Sequence, residues 1–279
     1  MQGLIVEGGS LRPIFSAGAM DALLEHNILF PYCIGVSAGI SNAISYISRQ
    51  SGRNLEILKQ YRNDKRYISR RNFLKCKSLF GLDFVYDEIP NQLIPFDRKT
   101  FLSYEGKCLV GITNAQSGKI EWKDGKKVDE KYTMLRATCA LPLFFPPIVY
   151  EGKKYYDGGL CAPIPIEKAE EDGCETFLII LSQPKGYVKQ VKKSDKWAAR
   201  IMAKKYPMVA ERILNRYIDY NKELKRCEEL ERQGRAVIIR PEYSLNSFEP
   251  DVAQLEKNYY HGYEMVLSKM DQIRETVRV

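Results

Sequence analysis

The first fifty residues alternate between short apolar runs and amphipathic stretches. Residues 3–6 and 32–36 are apolar runs of strand length, and a glycine-containing turn follows each. Residues 14–24 and 38–47 carry apolar side chains at helical spacing. Two successive strand–turn–helix units are typical of a parallel sheet with helices on its faces.

Further along, the pattern predicts more strands, a less regular segment and a helical end. Residues 62–104 mix a basic run with aromatic side chains, and we expect them to pack on the sheet or over its edge. The predicted elements that follow are a strand pair at 107–114 and 119–123, a helix at 130–140, short strands up to Tyr156, a buried strand at 176–182 and a strand at 235–240. The remaining C-terminal third is mostly helical. Its apolar stripe, predicted to face the core, comprises Ile213, Tyr217, Tyr220, Leu224 and Cys227.

These elements predict an α/β fold with two parts. The first part, residues 3–184, contains the parallel sheet. The second, residues 185–279, is a mostly helical extension packed on the first, and the polar, basic stretch near 184–195 separates the two.

Composition narrows the class of protein. The chain has 279 residues, of which 44% are hydrophobic and 28% charged, a balance that excludes global disorder and collagen. No run of about 20 apolar residues is present, and the first residues do not resemble a signal peptide, so we expect a cytoplasmic protein. The seven cysteines form no C-x-x-C pair and no secretion signal is evident, so we expect reduced thiols. His26 and His261 are the only histidines, so we assign no metal site, and we expect no cofactor.

Positive charge is concentrated in two segments. The net charge is +8, but residues 62–77 contain seven Lys/Arg against one Asp/Glu, and residues 185–226 contain thirteen against four. Such segments indicate either solvated helix faces or contact with an anionic partner. We expect no nucleic-acid binding, because the segments contain no recognisable motif for it.

The clearest chemical signal is a G-x-S-x-G motif. Gly35, Ser37 and Gly39 follow a predicted strand and precede a predicted helix. In that setting, the serine lies on a sharp turn that exposes its hydroxyl. The motif therefore predicts that Ser37 is a nucleophile. The alternative interpretation is that the motif is only a tight turn whose small residues allow close packing.

A nucleophilic serine needs a base. The order Ser37, Asp157, His261 fits an α/β-hydrolase, but His261 lies in a helical pattern and His26 precedes the serine. A carboxylate base is then favoured. Asp157 leads into the turn residues Gly158 and Gly159 and is the natural candidate.

A third candidate region follows the first strand. Gly8, Gly9 and Ser10 could aim backbone amides at one point and hold an oxyanion, with Arg12 fixing the loop or countering negative charge. The P-loop spacing is absent. The alternative is an ordinary strand–helix turn.

Taken together, these motifs resemble the patatin-like phospholipase family. The resemblance covers about residues 3–180 and includes the glycine-rich loop, G-x-S-x-G, an Asp-Gly-Gly turn and the run from Ala137 to Pro147. It implies a three-layer α/β/α fold with a mostly parallel sheet. It also implies hydrolysis of lipid acyl esters by a Ser37–Asp157 dyad, with Gly8, Gly9, Ser10 and Ala38 as oxyanion donors.

Two residues depart from the family pattern. The family usually has glycine where this chain has Ser10 and Pro13. Proline has no amide hydrogen, and serine resists a positive φ. A second hypothesis is therefore a lipid- or protein-binding module with weakened catalysis.

The leading hypothesis is a cytoplasmic serine acyl hydrolase that acts on a lipid ester. In this hypothesis, the basic segments 62–77 and 185–226 contact an anionic membrane surface. An α/β-hydrolase that uses His261 is a third hypothesis.

Overall fold

One mixed sheet forms the centre of the protein. The computed structural model describes residues 1–277. The strands are β1 (Gln2–Val6), β2 (Tyr32–Gly35), β3 (Lys107–Asn114), β4 (Ile120–Asp124), β5 (Ile148–Tyr150), β6 (Lys153–Asp157), β7 (Thr176–Ile180) and β8 (Ala236–Ile239). They pair in the order β5-β6-β3-β2-β1-β7-β8, with β4 also paired to β3. Strands β3, β2, β1, β7 and β8 run parallel to one another. Strands β4 and β6 pair antiparallel to β3, and β5 pairs antiparallel to β6.

Helices cover both faces of this sheet. They are α1 (Ile14–Glu25), α2 (Ser37–Ile47), α3 (Arg53–Tyr61), α4 (Arg70–Cys76), α5 (Arg98–Leu102), α6 (Thr133–Thr138), α7 (Ile166–Glu171), α8 (Lys193–Ala203), α9 (Pro207–Arg232), α10 (Val252–Leu267) and α11 (Met270–Val277). A π-helical segment, Phe84–Leu93, lies between α4 and α5. Among residues 1–277, no helix is both long and apolar enough to cross a bilayer.

The core lies in two layers because the parallel strands are buried on both faces. Leu4 and Val6 of β1 join the cluster beneath α1 and α2, while Ile5 joins the cluster that also contains Tyr220 of α9. Alternate side chains of one strand thus enter opposite layers. The predicted three-layer α/β/α architecture with a mostly parallel sheet is confirmed.

The predicted elements match the observed ones except at some boundaries. The helix expected over 130–140 begins only at Thr133, because Tyr132 has a positive φ of 52° and the Asp129 carboxylate accepts the Thr133 amide at 2.7 Å. In the predicted stripe on α9, Tyr220, Leu224 and Cys227 are buried, while Ile213 and Tyr217 are half-buried.

Residues 62–104 form a cap beside the sheet. A third apolar cluster joins the π-helical segment to α1, α3 and α10 through side chains that include Phe84, Ile89, Leu11 and Leu255. The cap therefore packs close to the loop that follows β1.

The C-terminal residues are part of the same sheet. Strand β8 adds to β7, and α10 crosses α1 so closely that a Cβ on Gly18 would collide with the Tyr259 carbonyl. The expected division at 184/185 stays a prediction. Residues 278 and 279 of the predicted extension lie outside the described residues.

Candidate active site

Ser37 is held in a sharp turn at the carboxyl end of β2. Val36 has an extended backbone, and Ser37 is the first residue of α2, with a φ of 55°. A positive φ is unfavourable for a residue with a side chain, so the surrounding structure must hold it. The Ser37 amide donates to Thr138 Oγ1 at 2.8 Å, and that hydroxyl donates to the Gly111 carbonyl at 2.6 Å.

Asp157 lies beside Ser37 at the end of β6. The Ser37 hydroxyl donates to Asp157 Oδ2 at 2.7 Å, and the Gly159 amide donates to Asp157 Oδ1 at 2.7 Å. The Thr113 hydroxyl donates to the Asp157 carbonyl at 2.8 Å. The fold thus joins residues 120 positions apart into one short hydrogen bond.

Burial sets the acidity of this carboxyl group. Asp157 is 1% exposed. Burial raises the pKa of Asp157 above its ordinary value, while the nearby Arg216 charge and the hydrogen bond from Ser37 lower the pKa. A raised pKa suits a group that takes a proton near neutral pH.

The glycine-rich loop lies directly against Ser37. A Cβ on Gly8 would come within 2.8 Å of the Ser37 Cβ, so only glycine fits there without a shift. Within residues 1–277, the amides of Gly8, Gly9, Ser10 and Ala38 donate no hydrogen bond. All four predicted oxyanion donors are therefore free to bind a ligand.

Ser10 adopts the conformation that glycine would favour. Its φ is 57°, so the substitution has not moved the backbone out of the left-handed region. Pro13 immediately precedes α1 with a φ of −63°, where a missing amide hydrogen costs no helical hydrogen bond. Neither departure from the family pattern disrupts the loop.

The remaining glycines permit close backbone contacts. A Cβ on Gly39 would collide with the Glu7 carbonyl, and one on Gly158 would collide with the Gly111 carbonyl. Gly35 similarly approaches the Val6 carbonyl. These residues bring the serine turn, the glycine loop and the Asp157 turn together.

Three cations surround the loop and the dyad. Arg12 Nε lies 3.4 Å from the Gly9 carbonyl, and Arg216 Nε donates to the Gly159 carbonyl at 2.6 Å. Burial, together with repulsion from Arg216 and Arg12, lowers the pKa of Lys189 to about 8. In the described part of the chain, none of the three forms an ion pair.

The two histidines are not near the dyad's proton. His261 Nε2 accepts the Glu242 amide at 3.1 Å, and its ring stacks on Tyr243. His26 is an exposed residue after α1. In the described residues, His261 makes no hydrogen bond to Ser37 or Asp157, so the geometry favours a base at Asp157, and a base at His261 stays an untested alternative.

A cavity lies beside Ser37. Its volume is about 150 Å³, and its lining is largely apolar, with side chains from α2, α3, the π-helical segment and α6. Ser10, Ser37 and Ala38 all line it. The cavity is therefore continuous with the serine turn and the glycine-rich loop.

Sequence reasoning missed three residues of this site. Thr138 lies within the run noted for its family resemblance, but its contact with Ser37 had no separate signal. Arg216 and Lys189 belong to the basic segment 185–226, and only the fold brings them to the loop.

Comparison with known proteins identifies the family. The family model described as "Patatin-like phospholipase" matches residues 4–170. The chain belongs to the patatin-like phospholipase family. A second model, "Domain of unknown function (DUF6363)", matches residues 206–278, the region that supplies Arg216.

One curated protein and one solved structure are similar to the chain. The patatin-like chain is 26% identical over 193 residues to "Uncharacterized protein YjjU" of Escherichia coli K12, across 65% of this chain and 52% of YjjU. It therefore spans about half the length of that relative. The crystal structure of VipD from Legionella pneumophila aligns with a TM-score of 0.49 and 15% identity, across 97% of this chain and 66% of VipD.

Proposed function

We propose that the protein hydrolyses acyl esters of lipids with a Ser37–Asp157 dyad. The observation that carries the proposal is the 2.7 Å hydrogen bond from Ser37 Oγ to Asp157 Oδ2. Membership of the patatin-like phospholipase family supports a lipid acyl ester as the substrate.

The proposed reaction has two stages. Ser37 Oγ attacks the ester carbonyl carbon while its proton passes to Asp157 Oδ2. The tetrahedral intermediate then expels the alcohol, which takes the proton from Asp157, and leaves an acyl-serine. In the second stage, Asp157 takes a proton from water, the resulting hydroxide attacks the acyl-serine, and the proton returns to Ser37 as the fatty acid leaves.

The glycine loop would stabilise the negative oxygen of the intermediate. The unpaired amides of Gly8, Gly9 and Ser10, together with that of Ala38 at the start of α2, are suitable donors. The N-terminus of α2 adds a favourable dipole.

Arg12, Lys189 and Arg216 support an anionic substrate. Their charges meet around the loop without ion-pair partners in the described residues, and this unfavourable arrangement would be relieved by a phosphate group. A phospholipid headgroup would bring such a group next to its ester.

The basic segments would contact an anionic membrane surface. Segment 62–77 exposes Phe73 and Leu74 beside arginines and lysines, and segment 185–226 exposes Trp197 and Ile201. Apolar side chains flanked by cations suit a headgroup layer, at about 1 kcal/mol per well-placed Lys or Arg.

The docking proposal is tested by vesicle co-sedimentation at low and high salt. We expect binding to anionic vesicles that weakens with salt and with Leu74→Ser. If vesicle binding is the same at low and high salt and in Leu74→Ser, the proposed membrane contact is refuted.

The catalytic proposal is tested by release of p-nitrophenol from medium-chain acyl esters. We expect Ser37→Ala and Asp157→Ala to abolish hydrolysis and His261→Ala to retain it, since His261 lies outside the dyad. If the wild-type protein is no faster than Ser37→Ala on any ester, the binding-module hypothesis replaces this one.

A further inference from the structure

The cavity follows one face of α2 from the nucleophile to a buried arginine. Ser37, Ser41 and Ile44 line the cavity at helical spacing. Arg53, at the start of α3, also lines it and donates from Nη1 to the Ser45 hydroxyl at 3.2 Å. Ser45 lies eight residues beyond Ser37, which corresponds to about 12 Å along the helix axis.

Arg53 is a buried cation whose bonding is incomplete. The residue is 7% exposed. Its Nη2 donates to the Ile94 carbonyl at 2.9 Å, but its Nε has no partner among residues 1–277. In that part of the chain, no carboxylate lies within 4.0 Å of the guanidinium group.

No ion pair neutralises this charge in the described residues, although the Glu56 carboxylate raises the pKa of Arg53 and so partly offsets the effect of burial. The guanidinium carbon lies 5.4 Å from the centre of the Phe96 ring, and the Ser45 and Ile94 acceptors are uncharged. Burial lowers the pKa of Arg53 to about 10, so the group is still protonated at neutral pH. An unpaired buried charge is costly, and a ligand with a negative group would remove that cost.

The amide side chains of the cavity are already paired. Asn54 accepts from the Ser45 hydroxyl and donates to the Asn42 carbonyl, and Asn42 donates to the Pro13 carbonyl. Arg53 is thus the charged group with a spare donor in a largely apolar space. Leu58, Val85, Ile89 and Leu135 supply apolar walls.

We propose that the cavity accepts an acyl chain that ends in a carboxylate, and that Arg53 binds this carboxylate. The inference rests on the proposed function, because the ester carbonyl must sit at Ser37. An extended chain advances about 1.2 Å per bond, so roughly ten carbons would reach from Ser37 to the level of Ser45, the residue to which Arg53 donates. The planar guanidinium group matches a carboxylate with two parallel hydrogen bonds.

Arg53 is therefore assigned as a specificity-determining residue. It would not act on the ester itself. A methyl-ended chain of the same length would leave the buried charge unpaired, whereas the carboxylate-ended chain would pair it.

The test compares two p-nitrophenyl esters of equal length, the decanoate and the monoester of decanedioic acid. We expect the wild-type kcat/KM to be about tenfold or more higher for the carboxylate-ended ester, since a charge-assisted pair forms only with that ester. Arg53→Met should reverse the preference, and Arg53→Lys, which keeps a cation, should retain part of it.

A matched variant controls for the loss of a partly buried arginine. Arg98 donates to the Val128 carbonyl at 2.6 Å and lies outside the cavity lining. Arg98→Met should keep the wild-type preference. A wild-type preference for the decanoate, or a preference unchanged in Arg53→Met, would overturn the inference.

A binding measurement separates this inference from the catalytic proposal. Calorimetry on Ser37→Ala compares decanedioic acid monomethyl ester with methyl decanoate, with and without Arg53→Met. Arg53-dependent preference for the first ligand supports the inference even if no ester is hydrolysed. Ser37-dependent hydrolysis without any Arg53-dependent preference would leave the catalytic proposal standing and refute the role of Arg53.

Discussion

Arg216 connects the long C-terminal helix to the turn that carries the candidate base: its Nε donates to the Gly159 carbonyl at 2.6 Å, two residues beyond Asp157. The same arginine lowers the pKa of Asp157 and so opposes the effect of burial. The region matched by the second family model therefore affects the pKa of Asp157.

Replacing Arg216 should change the pH dependence of hydrolysis. Loss of the cation in Arg216→Leu raises the pKa of Asp157 further, so the acid limb of kcat/KM should move to higher pH. The pH–rate profile measures this shift, and Arg216→Lys should restore much of the wild-type profile.

Arg212 provides the matched control for that experiment. It lies one helical turn before Arg216 on α9 and donates to the Gly118 carbonyl at 2.9 Å. Arg212→Leu should leave the acid limb unchanged. If the acid limb shifts equally in Arg212→Leu and Arg216→Leu, the shift results from the loss of any positive charge on α9 and not from the contact of Arg216 with the Asp157 turn.

Thr138 should position Ser37. Thr138→Val keeps the shape but leaves the Ser37 amide and the Gly111 carbonyl without their partner, which should cost about 1–3 kcal/mol of stability. Because the serine turn would relax, we expect kcat to fall by about tenfold or more. Thr138→Ser retains the hydroxyl and should rescue both denaturant stability and kcat, whereas a Thr138→Val protein with normal kcat would contradict the positioning role.

Ser10→Gly tests whether the family departure weakens the enzyme. Ser10 already has a φ of 57°, so glycine should relieve backbone strain and add at most about 1 kcal/mol to the free energy of unfolding. We expect kcat/KM to stay within a few-fold of wild type. A large gain in rate in Ser10→Gly, absent in Ser10→Ala, would show that the Cβ at this position impairs the oxyanion site.

Asp21 should make the fold sensitive to pH. Its carboxyl group accepts hydrogen bonds from the Gly52 amide and the Tyr259 hydroxyl, and burial raises its pKa from 3.8 to about 6. The protonated form is favoured in the folded state. Protonation of Asp21 therefore stabilises the folded state fully below pH 3.8, and this contribution to the free energy of unfolding is lost as the pH rises through about 6.

Asp21→Asn should remove this dependence. A pKa shift of one unit corresponds to about 1.4 kcal/mol. When the pH is raised from 4 to 8, the free energy of unfolding of the variant should therefore increase by about 2–3 kcal/mol relative to that of the wild type. Urea unfolding at both pH values measures the difference. The same difference at both pH values would refute the assignment to Asp21.

The sequence predicted the elements and residues that local patterns encode. Ser37 and Asp157 each follow a strand and are flanked by glycines, which is a pattern that can be recognised locally. Strands β1 and β2 are continuous apolar runs and can be recognised in the same way. Their meeting in one hydrogen bond followed from the family resemblance, because nothing local relates positions 120 residues apart.

The residues that sequence reasoning missed depend on tertiary packing. Arg53 is one of 43 Lys and Arg residues, and its burial results from the cap folding over α2. Arg216 is one of many charged residues on α9, a helix whose buried positions are mostly apolar. No periodicity distinguishes a lysine or arginine that enters a site from one that stays in solvent.

The position of β1 between β2 and β7 affects how the chain can fold during its synthesis. Gly3 pairs with Tyr32 on one side and with Phe177 on the other, and Phe177 is translated 174 residues later. At a translation rate of about 5–20 residues per second, the edge of β1 that pairs with β7 stays unpaired for roughly 10–35 s after β1 has been synthesised. An unpaired apolar edge can associate with another chain during this interval, so we expect chaperones to increase the yield of folded protein during expression.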